Sequence, residues 1–237
     1  MEFFNYLCHF ILRSRKLLMG KDLYVRKDIS ISTKTLGNRH ACWTFIPTLL
    51  NQSSIVYSFG VGRDISFDLH LINMFHLHVF AFDPTPSSIE WIKNENGRLP
   101  DEFHFYDFGI ASIDGNISFY PPEYKNYGSY SIIKDVYQSS SVMLPVKRLT
   151  SIMQELHHNH IDLLKMDVEG AEYAVIEDMV KSNIFPRQLL IEFHHRFKNI
   201  GVQKTKEIIH LLKQNEYHIF HVSPTGAEIS FLRLDHA

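Results

Sequence analysis

Two short stretches of the chain carry side chains able to take, hold or give a proton. The first is Lys165-Met166-Asp167-Val168-Glu169-Gly170-Ala171-Glu172, and the second is Glu192-Phe193-His194-His195-Arg196. Histidine titrates near pH 6.5 in water, so His194 or His195 suits deprotonation of an alcohol better than a solvated carboxylate does. Asp167 is expected to orient that histidine or the reacting hydroxyl, with Glu192 beside it. A metal held by Asp167, Glu192 and a histidine has fewer ligands than oxygen-rich sites need, so no metal is assigned. Each residue alone also reads as a turn former or a helix cap. Their convergence is what suggests a site.

For these groups to meet, the elements beneath them must run side by side. Ile161 to Met166 and Gln188 to Phe193 are nearly continuous apolar runs, the pattern of parallel strands buried on both faces. Both end in the polar residues above, at the carboxyl edge where open α/β sheets bind ligands. A further run, Ile55 to Phe59, feeds the turn Gly60-Val61-Gly62, an apolar-periodic segment, then Val79 to Phe82 and Asp83. Strand, glycine turn, helix, strand and acid make the first half of a nucleotide-binding βαβ unit. Gly60 and Gly62 let backbone N–H groups approach a ligand, and Asp83, about 20 positions on, can accept hydrogen bonds from a ribose diol.

Ile65 occupies the third glycine position of the dinucleotide fingerprint G-x-G-x-x-G. Its presence disfavours a nicotinamide cofactor and leaves S-adenosylmethionine, which has adenosine but no phosphate. Methyltransferases usually place an acid two positions before the first glycine, where Ser58 stands. Asp64 then has two readings, a partner for the methionine ammonium or the N-cap of the next helix. Asp107, at the end of a strand over Glu102 to Asp107, also has two, an adenine contact or a turn acceptor.

The remaining elements follow in order. A helix is expected over Ser87 to Lys93, and Asp114-Gly115 predicts a hairpin between Ile110–Ile113 and Ile117–Tyr120. Pro121 to Ser141 is long for a connection and holds Tyr124, Tyr127, Tyr130 and Tyr137, so it reads as a substrate lid or as a packed surface loop. His157-His158-Asn159-His160 reads as a solvated turn at the amino end of the sheet. Tyr217 to Val222 and Glu228 to Leu234 predict a terminal antiparallel hairpin. At the other end, Phe3, Leu7, Phe10, Ile11, Leu17 and Leu18 recur at helical spacing. That helix packs on the domain or touches a membrane surface through Arg13, Arg15 and Lys16. The run is too short to span a bilayer and lacks the charge order of a signal peptide.

The 237 residues contain no linker or repeat, so a single folded unit is expected: residues 1–50 as helix and cap, 51–237 as the main domain. Apolar content of 45% and charged content of 21% fit a soluble globular chain. A net charge of −2 disfavours long nucleic acid as a partner. The two cysteines have no metal or disulfide spacing, which suits a reducing, cytoplasmic setting.

YSFGVGRDISFD, FAFDPTP, IDLLKMDVEGAEYAVI and LLIEFHH, in that order, resemble the FkbM-type S-adenosylmethionine-dependent methyltransferases over about Trp43 to Leu234. The resemblance implies a Rossmann-like class I fold, α/β with a seven-stranded, mostly parallel sheet and an antiparallel terminal hairpin. It implies O-methylation of a sugar, glycan or small natural product. It puts Gly60, Gly62 and Asp83 on the cofactor, Asp107 on the adenine, and Asp167 and the Glu192 strand end beside the methyl. Two rivals stand against it, a nicotinamide-dependent oxidoreductase and a non-catalytic module on the same fold.

Overall fold

The apolar runs become the centre of one sheet in the computed structural model, which describes residues 13–39, 41–121, 130–133 and 140–234. β3 (Ile55–Phe59), β4 (His78–Phe82) and β5 (Phe103–Tyr106) lie on one side. β9 (Leu163–Met166), β10 (Gln188–Glu192), β11 (Tyr217–Val222) and β12 (Glu228–Arg233) lie on the other. The order of the seven strands is β11-β12-β10-β9-β3-β4-β5. β3, β4, β5, β9 and β10 pair in parallel, while β12 runs antiparallel between β10 and β11. The expected terminal hairpin is therefore present, and it closes the sheet.

The helices cover both faces. α2 (Ser66–Phe75), α3 (Pro86–Glu95), α4 (Leu149–Glu155), α5 (Glu172–Lys181) and α6 (Gly201–Gln214) follow the strands in turn. Two apolar layers form, one around Tyr57, Phe82, Leu164, Ile176 and Phe231, the other around Phe45, Val56, Leu71, Leu163 and Leu190. Strand side chains alternate between faces, which is why Leu163 and Leu164 fall in different layers. Beneath the carboxyl edge, Phe59 stacks on Phe82 at 4.6 Å and Phe82 on Tyr106 at 5.1 Å.

Residues 13–18 are helical (α1); the earlier part of the expected amphipathic helix lies outside the described residues. β1 (Lys34–Leu36) and β2 (Trp43–Phe45) form a small antiparallel pair. The Gln188 side chain accepts from the Ile46 N–H at 2.8 Å and so ties this cap to β10. Asp22, buried, receives Arg196 Nη2 at 2.7 Å and His195 Nε2 at 3.1 Å. Among the described residues, no helix is long and apolar enough to cross a membrane.

Two expectations change. The Asp114-Gly115 hairpin does not form, because β8 (Val142–Lys147) inserts between β6 (Gly109–Ile110) and β7 (Gly115–Phe119). The Asp114 carboxylate instead accepts from the Arg148 N–H at 2.9 Å and the Ser151 hydroxyl at 2.8 Å, fixing the start of α4. The histidine turn is at the amino end as expected, but His158 is packed against Phe80 and shares a 2.8 Å hydrogen bond with Tyr57 Oη. Most of the Pro121 to Ser141 segment, including Tyr124, Tyr127 and Tyr137, lies outside the described residues. Ser131 is described: it bridges to Tyr120, and its hydroxyl donates to the Glu169 carbonyl at 2.7 Å.

Candidate active site

β3 has β4 on one side and β9 on the other, so the chain leaves the sheet in opposite directions from neighbouring carboxyl ends. Such a switch point leaves a crevice, and here it is a cavity of about 770 Å³. Gly60 makes the close approach: a Cβ there would sit 1.8 Å from the Asp167 carbonyl oxygen, and its φ is +82°. No L side chain fits that position. The Gly62 N–H donates to Asp83 Oδ2 at 3.0 Å, while Asp83 Oδ1 accepts from the Thr85 N–H at 2.9 Å and hydroxyl at 2.6 Å. Asp83 thus braces the glycine turn and lines the cavity.

The other cofactor candidates divide. Asp64 lines the cavity but both its oxygens are engaged, Oδ1 by the Ser66 N–H at 2.8 Å and Oδ2 by Asn38 Nδ2 at 3.0 Å. The Ser66 bond lies at the start of α2, whose N-cap is Ile65, and the Asn38 bond ties Asp64 to the cap. Asp107 is exposed and is not part of the cavity lining; Phe108 turns inward beside it, and the wall passes Gly109 and Ile110.

At the far end of the cavity, Asp167, Glu169, Glu192 and Glu228 gather. Glu192 and Glu228 are register partners on adjacent strands, so two carboxylates stand side by side. Burial, then the Asp167 charge, push the Glu192 carboxyl up to about 8. Burial also raises Asp167, against the opposing charges of Lys165 and His194. His194 lies behind them: its Nδ1 is 3.1 Å from Glu172 Oε1 and its Nε2 3.2 Å from Glu169 Oε2. Burial favours the neutral ring, yet the Glu172 hydrogen bond and the surrounding carboxylates hold its pKa up at about 9.

At neutral pH His194 is therefore an imidazolium with both nitrogens engaged, so it has no lone pair with which to accept a proton. His195, in the turn after β10, is bound to Asp22 instead. His194 is thus engaged at both ring nitrogens, and His195 is turned to Asp22. Asp167, Glu192 and His194 bring ligand atoms within 4.8 Å of one another. That spacing is one that could hold a cation.

Three further residues were given no role from the sequence, although Lys165 and Glu172 stand in the first stretch named there. Glu172, fully buried, accepts from the Gly170 N–H at 2.9 Å and the His194 N–H at 2.9 Å, joining the β9 and β10 ends. Lys165, inside the apolar run LLKM, is beside Ser58 in register, and its Nζ donates to the Gly60 carbonyl at 2.7 Å. Asp68 is buried on α2 and also lines the cavity. Charged residues inside apolar runs were the available signal for Lys165 and Asp68.

A parallel sheet in this strand order, with a single antiparallel strand and a glycine turn and acid at its switch point, defines a class I methyltransferase fold. The chain belongs to the FkbM methyltransferase family, whose domain model matches residues 54–219. It is similar to the probable methyltransferase-like protein 24 of Homo sapiens, 28% identical over 185 residues, which cover 72% of this chain and 43% of that protein. It is also similar to the hexuronic acid methyltransferase AglP of Haloferax volcanii, 24% identical over 119 residues, 49% of this chain and 47% of that protein. The chain spans less than half the length of these two relatives. A methyltransferase FkbM crystal structure from Methylobacillus flagellatus superposes with a TM-score of 0.49 at 15% identity, covering 79% of this chain and 46% of that one.

Proposed function

We propose that this chain is an S-adenosylmethionine-dependent methyltransferase acting on a hydroxyl oxygen of a sugar, glycan or small natural product. One observation carries the reading: a single cavity runs from the Gly60–Gly62 turn and Asp83 to the carboxylates of Asp167 and Glu192. Its first end suits adenosine. Asp83 Oδ2 accepts one bond from Gly62 and has acceptor capacity left for a ribose hydroxyl, while Phe82, Pro84 and Ile110 supply apolar wall.

When bound, S-adenosylmethionine supplies a methyl group on a sulfonium, whose thioether product leaves without needing a proton. The chain must then hold the acceptor oxygen in line and remove its proton. Positioning accounts for most of the rate in such a case, with effective molarities of order 10⁵ M or more. For the proton, Glu192 is the better base: it lines the cavity, whereas His194 is behind it and already charged. Its raised basicity brings it near the operating pH, where general bases work best. Asp167 lies between Glu192 and the glycine turn and orients the hydroxyl.

A cavity end rich in carboxylates disfavours the phosphates of nucleic acid and favours an uncharged acceptor. The relative from Haloferax volcanii, a hexuronic acid methyltransferase, supports a sugar among the candidates. Calorimetry should show S-adenosylhomocysteine binding and no binding of NAD. Incubation with S-adenosylmethionine and a panel of neutral sugars and hexuronic acids, followed by mass spectrometry, should give a methyl ether. Binding of NAD alone would replace this reading with the oxidoreductase, and cofactor binding without transfer to any acceptor would favour the non-catalytic module.

A further inference from the structure

We propose that Asp68 receives the α-ammonium group of the cofactor's methionyl end, so that the acid for this group is supplied by helix α2 and not by the end of β3. The inference rests on the S-adenosylmethionine reading and names the side chain that recognises its amino-acid head.

Asp68 belongs to the first turn of α2. It has Ser58 of β3 and Lys165 of β9 as neighbours, and those two are register partners. Asp68 is only 1% exposed, yet it lines the cavity together with Lys165, Trp43 and the glycine turn. Asp68 Oδ1 has no hydrogen-bond partner, and neither does the buried Ser58 Oγ beside it. A carboxylate withdrawn from water without a partner is costly, and the cost is relieved when a cation with N–H donors docks against it.

The neighbouring groups do not meet that need. Lys165 and then the Ser58 hydroxyl oppose the burial-driven rise in the Asp68 pKa, but the Lys165 Nζ donates to the Gly60 carbonyl, and among the described residues no ion pair joins it to Asp68. Asp64 has both oxygens engaged, and Asp83, which braces the glycine turn, is the acid read for the ribose. Asp68 and Asp167 are thus the two cavity-lining acids with a buried oxygen that accepts no hydrogen bond, and of these Asp68 is the one carried by α2. A compact primary ammonium suits it: three donors, one positive charge, and a carbon chain leading back toward the glycine turn. Lys165, close by, complements the carboxylate of the same amino-acid head.

The test separates the amino-acid head from the nucleoside. Calorimetry would compare three probes on the wild-type chain and on Asp68→Asn: S-adenosylhomocysteine, its deaminated analogue that keeps the carboxylate, and 5′-methylthioadenosine. In the wild type, S-adenosylhomocysteine should bind about 10- to 100-fold more tightly than the deaminated analogue, the range for one charged hydrogen bond. In Asp68→Asn that preference should vanish, while 5′-methylthioadenosine binds as before and so reports an intact fold. Equal affinity of the wild type for the aminated and deaminated probes overturns the assignment even if the variant does not fold. So does an undiminished preference in Asp68→Asn, or an equal loss of all three probes in a folded variant. Those outcomes leave the cofactor reading standing, whereas a wild type that binds none of the probes removes that reading and this assignment with it.

Discussion

In the proposed reaction Glu192 and His194 exchange the roles that their intrinsic chemistry suggests. An isolated histidine is the natural base near neutrality, but His194 sits between Glu172 and Glu169 and stays charged to about pH 9. Glu192 is raised to about 8 by burial and by Asp167. Glu192→Gln should therefore lower kcat by about 10²- to 10⁴-fold with S-adenosylhomocysteine binding intact. The wild-type rate should rise with pH and level off above about 8; a midpoint near 6.5, surviving in Glu192→Gln, would return the role to a histidine. Loss of activity on chelation would instead point to a cation among these carboxylates. Asp83 belongs to the same scale. Asp83→Ala removes an acceptor for the ribose and a brace of the turn, so S-adenosylhomocysteine binding should weaken by about 1.5–3 kcal/mol. Unchanged affinity in calorimetry would remove the ribose assignment.

At the scale of elements, the site is a joint between strand ends. Glu172 opens α5 and accepts from the Gly170 N–H in the β9 turn and from the N–H and ring of His194 after β10. Its single charge thereby fixes the distance between the two ends that carry Asp167 and Glu192. Glu172→Gln keeps the shape but faces an amide N–H₂ toward donors and leaves the His194 cation poorly paired. Breaking a buried pair in this way typically costs about 3–5 kcal/mol, and urea denaturation should show a loss of that order. The His194 pKa, followed by NMR, should fall in the same variant. A denaturation midpoint unchanged from wild type would mean that the joint is held by other contacts.

For the whole molecule, the acidic site sets a pH dependence of stability. Glu192 is raised from 4.5 to about 8, and His194 from 6.5 to about 9. In both cases the folded state binds protons more tightly than the unfolded one. Their contribution is fully present below the unfolded pKa values and is lost as pH rises through the folded ones. Asp22, Asp28 and Asp64 are lowered and act oppositely, their stabilisation disappearing only as pH falls below about 3.8. Without ligand, the urea midpoint should drop between about pH 6 and pH 9, and Glu192→Gln should flatten part of that slope. A midpoint that climbs over this range would contradict the assigned protonation states.

Much of the fold was legible in the residues because strand burial, glycine turns and terminal hairpins are written in local pattern. Ile55–Phe59, His78–Phe82, Leu163–Met166 and Gln188–Glu192 are strands where the apolar runs placed them, and their ends carry the acids expected there. The Asp114-Gly115 segment was not legible: a turn signal is local, but its strands chose a third partner, β8, that lies about 30 residues away. The same limit applied to the site. Sequence placed Asp167, Glu192 and His194 at one edge, since alternation and strand direction are local properties. Which of them holds a proton depended on the distances between Glu172, Glu169 and His194 and on how much water is excluded around them. Those distances exist only once α5 and the strand ends have packed together, because a pKa responds to neighbours in space and to burial, not to neighbours in the chain.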